Sequence, residues 1–117
     1  IPTWIMQGYM TLAHEALQQM QDAQASLPTH IFLQAGVGSF AGAVAGFFIQ
    51  NMKENAPIIV VMEPHQSNCL YLSAVANDGQ PHKVDGDMLT LMAGLACGEP
   101  NTVSWPILRD YATCFLL

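Results

Sequence analysis

The sequence predicts an α/β fold built on part of an open parallel sheet flanked by helices, and three observations lead there. Some segments repeat apolar residues at three- and four-residue steps, while others are short uninterrupted apolar runs. The two kinds alternate along the chain. A glycine-rich turn, Gln34-Ala35-Gly36-Val37-Gly38-Ser39-Phe40-Ala41-Gly42, joins the first short apolar run to the helix after it.

Met6, Met10, Ala13, Leu17 and Met20 form one apolar stripe on a helix from about Met6 to Ala25, with the glutamines outward. Leu27-Pro28-Thr29 ends it. A strand over His30 to Leu33 leads into the glycine turn, and a helix over Ser39 to Met52 gives way at the polar Lys53-Glu54-Asn55. Ile58-Ile59-Val60-Val61-Met62 is the continuous β-branched pattern of a strand covered on both faces, and it stops at Glu63-Pro64. Gln66 to Val75 reads as a short helix and Asn77 to Pro81 as an exposed turn. Asp87 to Ala96 reads as a second apolar helix. After the break Gly98-Glu99-Pro100-Asn101, Val103 to Phe115 reads as the last helix. Strands separated by helices pair in parallel through crossovers.

Composition narrows the function. The 117 residues make at most one domain, and 51% hydrophobic content with 10% charge implies extensive burial. Three Lys and Arg against nine Asp and Glu leave a net charge of −6 and no basic stripe for nucleic acid. No apolar run approaches the ~20 residues of a membrane span, and no signal-peptide pattern opens the chain, so the expectation is a soluble, cytoplasmic protein. Cys69, Cys97 and Cys114 lack ligand or pairing spacing and are expected to be reduced thiols. His14, His30, His65 and His82 are scattered, which argues against a metal site, and Asp85-Gly86-Asp87 lacks the further ligands that calcium needs. Ser39, His65 and Asp87 have no nucleophile elbow to make them a triad. The opening Ile1-Pro2-Thr3-Trp4, without Met, and the apolar composition lead to the expectation of a piece of a longer chain.

The glycine turn carries the chemistry. A strand that breaks at Gly36 and Gly38 and resumes as a helix leaves unpaired backbone N–H groups at the positive end of the helix dipole, which is a phosphate site. Glycine lets the backbone approach an anion and adopt positive φ, Ser39 adds a hydroxyl, and Gly42 and Gly46 allow the helix to lie close to the sheet. Gly36-Val37-Gly38-Ser39-Phe40-Ala41 also fits the dinucleotide fingerprint, with Glu63 where a ribose-binding acid would stand. A long amphipathic helix before the first strand is unusual for that class. An NAD(P)-binding domain, a monophosphate cofactor site, a non-enzymatic small-anion module and simple glycine packing are the alternatives.

Thr3 to Tyr9, Pro28 to Gly38, Glu63-Pro64, Gly86-Asp87-Met88 and Ala93 to Asn101 together resemble the diaminopropionate ammonia-lyase family, in the same order and over nearly the whole chain. That family belongs to the fold type II, tryptophan-synthase-like pyridoxal-phosphate enzymes, and a looser likeness extends to serine and threonine dehydratases. The resemblance implies a three-layer α/β domain, of which residues 1–117 are a part, and a homodimeric parent. It also implies α,β-elimination of 2,3-diaminopropionate, a small amino acid, to pyruvate and ammonia. Gly36, Val37, Gly38 and Ser39 would hold the phosphate of pyridoxal 5'-phosphate, and Glu63 would stand close to the cofactor.

The chain departs from that pattern at one essential place. The cofactor needs a lysine for its Schiff base, and only Lys53, in the polar break, and Lys83, in a turn, are present. Both read as solvated surface residues. In the family the lysine and the catalytic aspartate lie upstream of the matching span, and further sequence follows it. The piece is therefore expected to carry no catalytic residue and to be inactive alone.

Overall fold

The computed structural model describes residues 2–117. The elements are α1 (Pro2–Asp22), β1 (His30–Gln34), α2 (Ser39–Met52), β2 (Ile58–Met62), α3 (Cys69–Ala76), α4 (Ser104–Tyr111) and β3 (Cys114–Leu116). The strands form one parallel sheet in the order β1-β2-β3, with Phe32 beside Val60 and Val60 beside Cys114.

Strand alternation divides the sheet into two unlike faces. Ile31, Leu33, Ile59, Val61 and Phe115 point into the core, where they meet Ala41, Val44, Ala45 and Phe48 of α2 and Trp105 and Leu108 of α4. Ala13 brings α1 onto the same core, and Met6 is buried as the apolar stripe requires. The opposite face carries Phe32, Ile58, Met62 and Leu116, between 41% and 58% exposed. The expected two-sided burial of β2 is thus met on one face by Ile59 and Val61 and on the other at Val60 alone, with Ile58 and Met62 exposed.

Three segments depart from expectation. Asp87 to Ala96 forms no helix; only Ala93–Leu95 makes a single 3₁₀ turn. Gly86 has φ +127° and Met88 φ 48°; Leu89 N–H donates to Gln66 Oε1 at 3.2 Å, and Val84 N–H donates to Gly98 C=O at 2.7 Å across the two ends of the segment. Leu89, Leu91 and Met92 are exposed, so a helix there would have no apolar surface to pack on, and packing is what stabilises short helices. The last helix stops at Tyr111, and Cys114–Leu116 joins the sheet as a strand. Thr113 N–H donates to Ile59 C=O at 2.8 Å and Glu63 N–H to Leu116 C=O at 3.0 Å, so the free edge of β2 overrides local propensity. Gly42 faces α4 instead of the sheet: a methyl there would lie 2.6 Å from Ser104 Cβ. At Gly46 a methyl would be in ordinary contact with Ile107, so close packing does not require glycine there.

Candidate functional site

The turn after β1 does what its glycines predict. Gly38 adopts φ +99°, a conformation that disfavours any side chain, and it precedes α2 with no side-chain cap. The first backbone bond of the helix runs from Gly42 N–H to Gly38 C=O at 2.8 Å, so the amides of Ser39, Phe40 and Ala41 have no carbonyl one turn back within α2. Ser39 and Phe40 of this set border a cavity of about 410 Å³ lined by Gln34 to Phe40, by Ile5 and Tyr9 of α1, and by Gly94, Leu95 and Cys97. Tyr9 and Phe40 meet edge to face at 5.4 Å, closing one side with aromatic surface.

The glycines also serve packing within the protein. A methyl at Gly36 would lie 3.2 Å from Cys97 Sγ and 3.4 Å from Leu95 Cα. One at Gly38 would lie 3.0 Å from Ser104 Oγ and 3.1 Å from Leu70 Cδ1. Gly36 is tight against the 94–97 segment that itself lines the cavity, and Gly38 against side chains of α3 and α4. The turn remains open to the cavity.

Two residues outside the expected set hold the cavity in shape. Ser67 is fully buried, and its Oγ lies 2.7 Å from Leu95 C=O, 2.6 Å from Cys97 C=O and 2.8 Å from the Cys97 amide that donates to it. It therefore fixes the wall opposite the turn. Asn101 donates its backbone N–H to Val37 C=O at 2.8 Å and its side-chain amide to Ser39 Oγ at 2.7 Å. The sequence signal for Asn101 is a side-chain acceptor just before a helix, which by itself reads only as a break.

Glu63 follows directly on β2, off the lining of the cavity. It is buried behind the turn, its carboxylate accepting Leu70 N–H at 2.9 Å and Tyr71 N–H at 2.7 Å. It caps α3 from a distance, which explains why that helix begins at Cys69 instead of Gln66. Burial pushes its pKa up to about 7 against the pull of the two amides. Committed to α3, the carboxylate is unavailable to a ribose, so the dinucleotide alternative loses its acid. Cys69 bridges Glu63 to the turn, with Sγ 3.9 Å from Glu63 Oε1 and 3.7 Å from Gly36 C=O. Burial, followed by the charge of Glu63, raises its pKa to about 12.

The remaining polar groups lie elsewhere. Lys53 ends α2, at the opposite end from the turn, and Lys83 pairs with Glu99 at 3.2 Å on the surface. Neither lysine lines the cavity. Arg109 pairs with Asp110 at 2.8 Å, and His82 lies 2.8 Å from Asp78. All three cysteines are free thiols. Among the described residues no group of three or more His, Cys, Asp or Glu is placed to hold a metal ion, and no helix is long and apolar enough to cross a membrane.

Comparison with known proteins places the chain in a family. Residues 2–116 match the family described as "Pyridoxal-phosphate dependent enzyme". The chain belongs to this family. The diaminopropionate ammonia-lyase of Salmonella typhimurium (strain LT2) is 67% identical over 116 residues, which are 99% of this chain and 29% of that protein. A crystal structure of the Escherichia coli diaminopropionate ammonia-lyase, in complex with an aminoacrylate-PLP azomethine reaction intermediate, superposes with a TM-score of 0.83 at 46% identity. It covers 97% of this chain and 27% of that one. The processed form of threonine deaminase isoform 2 from Solanum lycopersicum shares the fold alone, with a TM-score of 0.78 at 22% identity over 97% of this chain and 30% of the other. The chain thus spans less than a third of the length of the curated relative, and its sheet is part of the open parallel sheet of the pyridoxal-phosphate family.

Proposed function

We propose that residues 1–117 form the phosphate-holding part of a larger cofactor-binding domain, in a lyase that converts 2,3-diaminopropionate to pyruvate and ammonia. The observation that carries this reading is the uncapped start of α2, where Gly38 at φ +99° opens the first-turn amides onto the cavity. A phosphate ester fits this donor set. It is anionic, it accepts several hydrogen bonds, and the dipole of a 14-residue helix favours negative charge at that end. Gly36, Val37, Gly38 and Ser39 would hold the phosphate of pyridoxal 5'-phosphate through their amides and the Ser39 hydroxyl, while Glu63 acts from behind, through α3 and Cys69, without touching the cofactor. Ile5, Tyr9 and Phe40 would exclude water from one side.

When bound, pyridoxal phosphate supplies the electron sink that lets an α-proton leave an amino acid. The residues of this chain bind and orient; none of them abstracts the proton. Lys53 and Lys83 lie away from the cavity, so the lysine that carries the cofactor and the base belong to other parts of the protein. The same reading assigns a small amino-acid substrate, a homodimeric assembly and a cytoplasmic location. The three free thiols support a reducing compartment. Exposed Trp4 and Leu12 on α1 offer apolar surface for association.

The test is pyruvate release from 2,3-diaminopropionate by the protein containing this segment, with pyridoxal phosphate present. Turnover that disappears with Gly38→Asp, together with none from the 117-residue polypeptide alone, is the expected result. A protein that takes up NAD(P) and ignores pyridoxal phosphate would overturn the reading.

A further inference from the structure

Asn101 does more than end a loop. Its Oδ1 accepts the Val103 amide at 2.8 Å, and because a backbone N–H only donates, the oxygen of this side chain must face Val103. The NH₂ group is thereby turned toward Ser39 Oγ, 2.7 Å away, with Met6 Sδ of α1 at 3.8 Å as a second, weaker acceptor. The backbone of Asn101 is held as firmly: its N–H donates to Val37 C=O at 2.8 Å and its C=O accepts Trp105 N–H at 3.0 Å. One residue therefore ties the start of α4 to two points of the phosphate turn.

The direction of the Asn101–Ser39 bond has a chemical consequence. Ser39 must be the acceptor, so its single hydroxyl proton is not spent on Asn101. Ser39 also lines the cavity. We propose that Asn101 is a positioning residue: it holds the Ser39 hydroxyl as a hydrogen-bond donor toward the cofactor phosphate, and through its backbone it fixes the height of Val37 in the turn. The inference rests on the phosphate reading of the site given above. It assigns Asn101 no contact with the cofactor and no part in proton transfer.

Asn101→Asp tests the direction of the bond with almost no change of shape. An aspartate still accepts Val103 N–H and keeps the backbone bond to Val37, but it offers Ser39 an acceptor in place of a donor, which draws the hydroxyl proton away from the cavity. In the full-length protein, pyridoxal phosphate affinity measured by fluorescence titration is expected to fall about tenfold, the scale of a charge-assisted hydrogen bond lost. Pyridoxal, which has no phosphate, keeps its affinity. In a Ser39→Ala background the same substitution is expected to cost less than about threefold, because nothing remains to be reoriented and only the added charge acts. If Asn101→Asp does not fold, Asn101→Ser keeps a cap for Val103 and loses the reach to Ser39, and the same dependence on Ser39 is expected of it. Equal losses in both backgrounds would overturn the proposal while leaving the phosphate site standing. A wild-type protein that takes up no pyridoxal phosphate would remove the site reading itself, and this inference with it.

Discussion

Gly38, Glu63 and the two central cysteines are where single residues decide the behaviour of the site. A side chain at Gly38 must adopt a left-handed backbone and press on Ser104, Leu70 and Leu108, so Gly38→Ala is expected to cost about 1–3 kcal/mol. It should also weaken pyridoxal phosphate binding, as a thermal melt and a titration of the same sample would report. Glu63 gives a pH dependence whose sign follows from burial. Its folded pKa of about 7 lies above the ordinary 4.5, so the native state holds the proton more tightly and stability falls as pH rises from about 4.5 to 7. Melting temperatures of wild type and Glu63→Gln across that range check this: the wild type should lose stability relative to the variant, and parallel curves would refute the assignment. Cys69 is fully buried and its thiol stays protonated, so iodoacetamide should leave it untouched in the native protein. Cys97 lines the cavity and is only partly buried, and its labelling should slow when pyridoxal phosphate is added.

At the level of elements, the site is a junction between four segments. The β1–α2 turn presents the donors, α1 closes one side through Tyr9, Ser67 anchors the 94–97 wall, and Asn101 at the start of α4 straps the turn. Within α2 the closest approach is that of Gly42 to Ser104, where a methyl would lie 2.6 Å from Cβ and 3.1 Å from Cα. Backbone is involved, so α4 itself has to move. Gly42→Ala should therefore destabilise by about 1–3 kcal/mol, the range of overpacking, and loosen the Asn101 strap along with α4. Gly46→Ala, where the nearest atom is 3.8 Å away, should be neutral or slightly stabilising through helix propensity. Denaturant unfolding of the two variants side by side distinguishes a packing constraint from a general intolerance of α2 to change.

Across the whole molecule, one face of the sheet is packed and the other is apolar and open. Phe32, Ile58, Met62 and Leu116 are exposed on that face around the buried Val60, which pairs with Phe32, while Met62 pairs with Leu116. In an α/β protein of the three-layer type, helices cover both faces of such a sheet. Residues 1–117 expressed alone should accordingly self-associate. Light scattering across concentrations should show a rising mass, which the double substitution Phe32→Ser and Met62→Ser reduces. A strictly monomeric profile would mean that the open face is not adhesive.

Periodicity and turn chemistry were sufficient in the sequence for β1, α2 and β2, for the body of α1, which runs Pro2–Asp22 instead of Met6 to Ala25, and for the glycine turn, because each rests on contacts made within a few residues or on a backbone geometry only glycine reaches easily. The start of α2 at Ser39 and both ends of β2 agree residue for residue. The family resemblance was legible in the same way, carried by motifs spread over nearly the whole chain. Long-range partners decided the rest. Cys114 to Leu116 became a strand because β2 had an unpaired edge, and Asp87 to Ala96 stayed irregular apart from one 3₁₀ turn because its apolar residues had no surface to meet. Glu63 is held at the start of α3 by two amides that need an acceptor, a partnership made across the β2–α3 loop. Ser67 and Asn101 gained their roles only when the fold brought them to segments 28 to 62 residues away in sequence, since hydrogen bonds of that reach leave no local pattern to read.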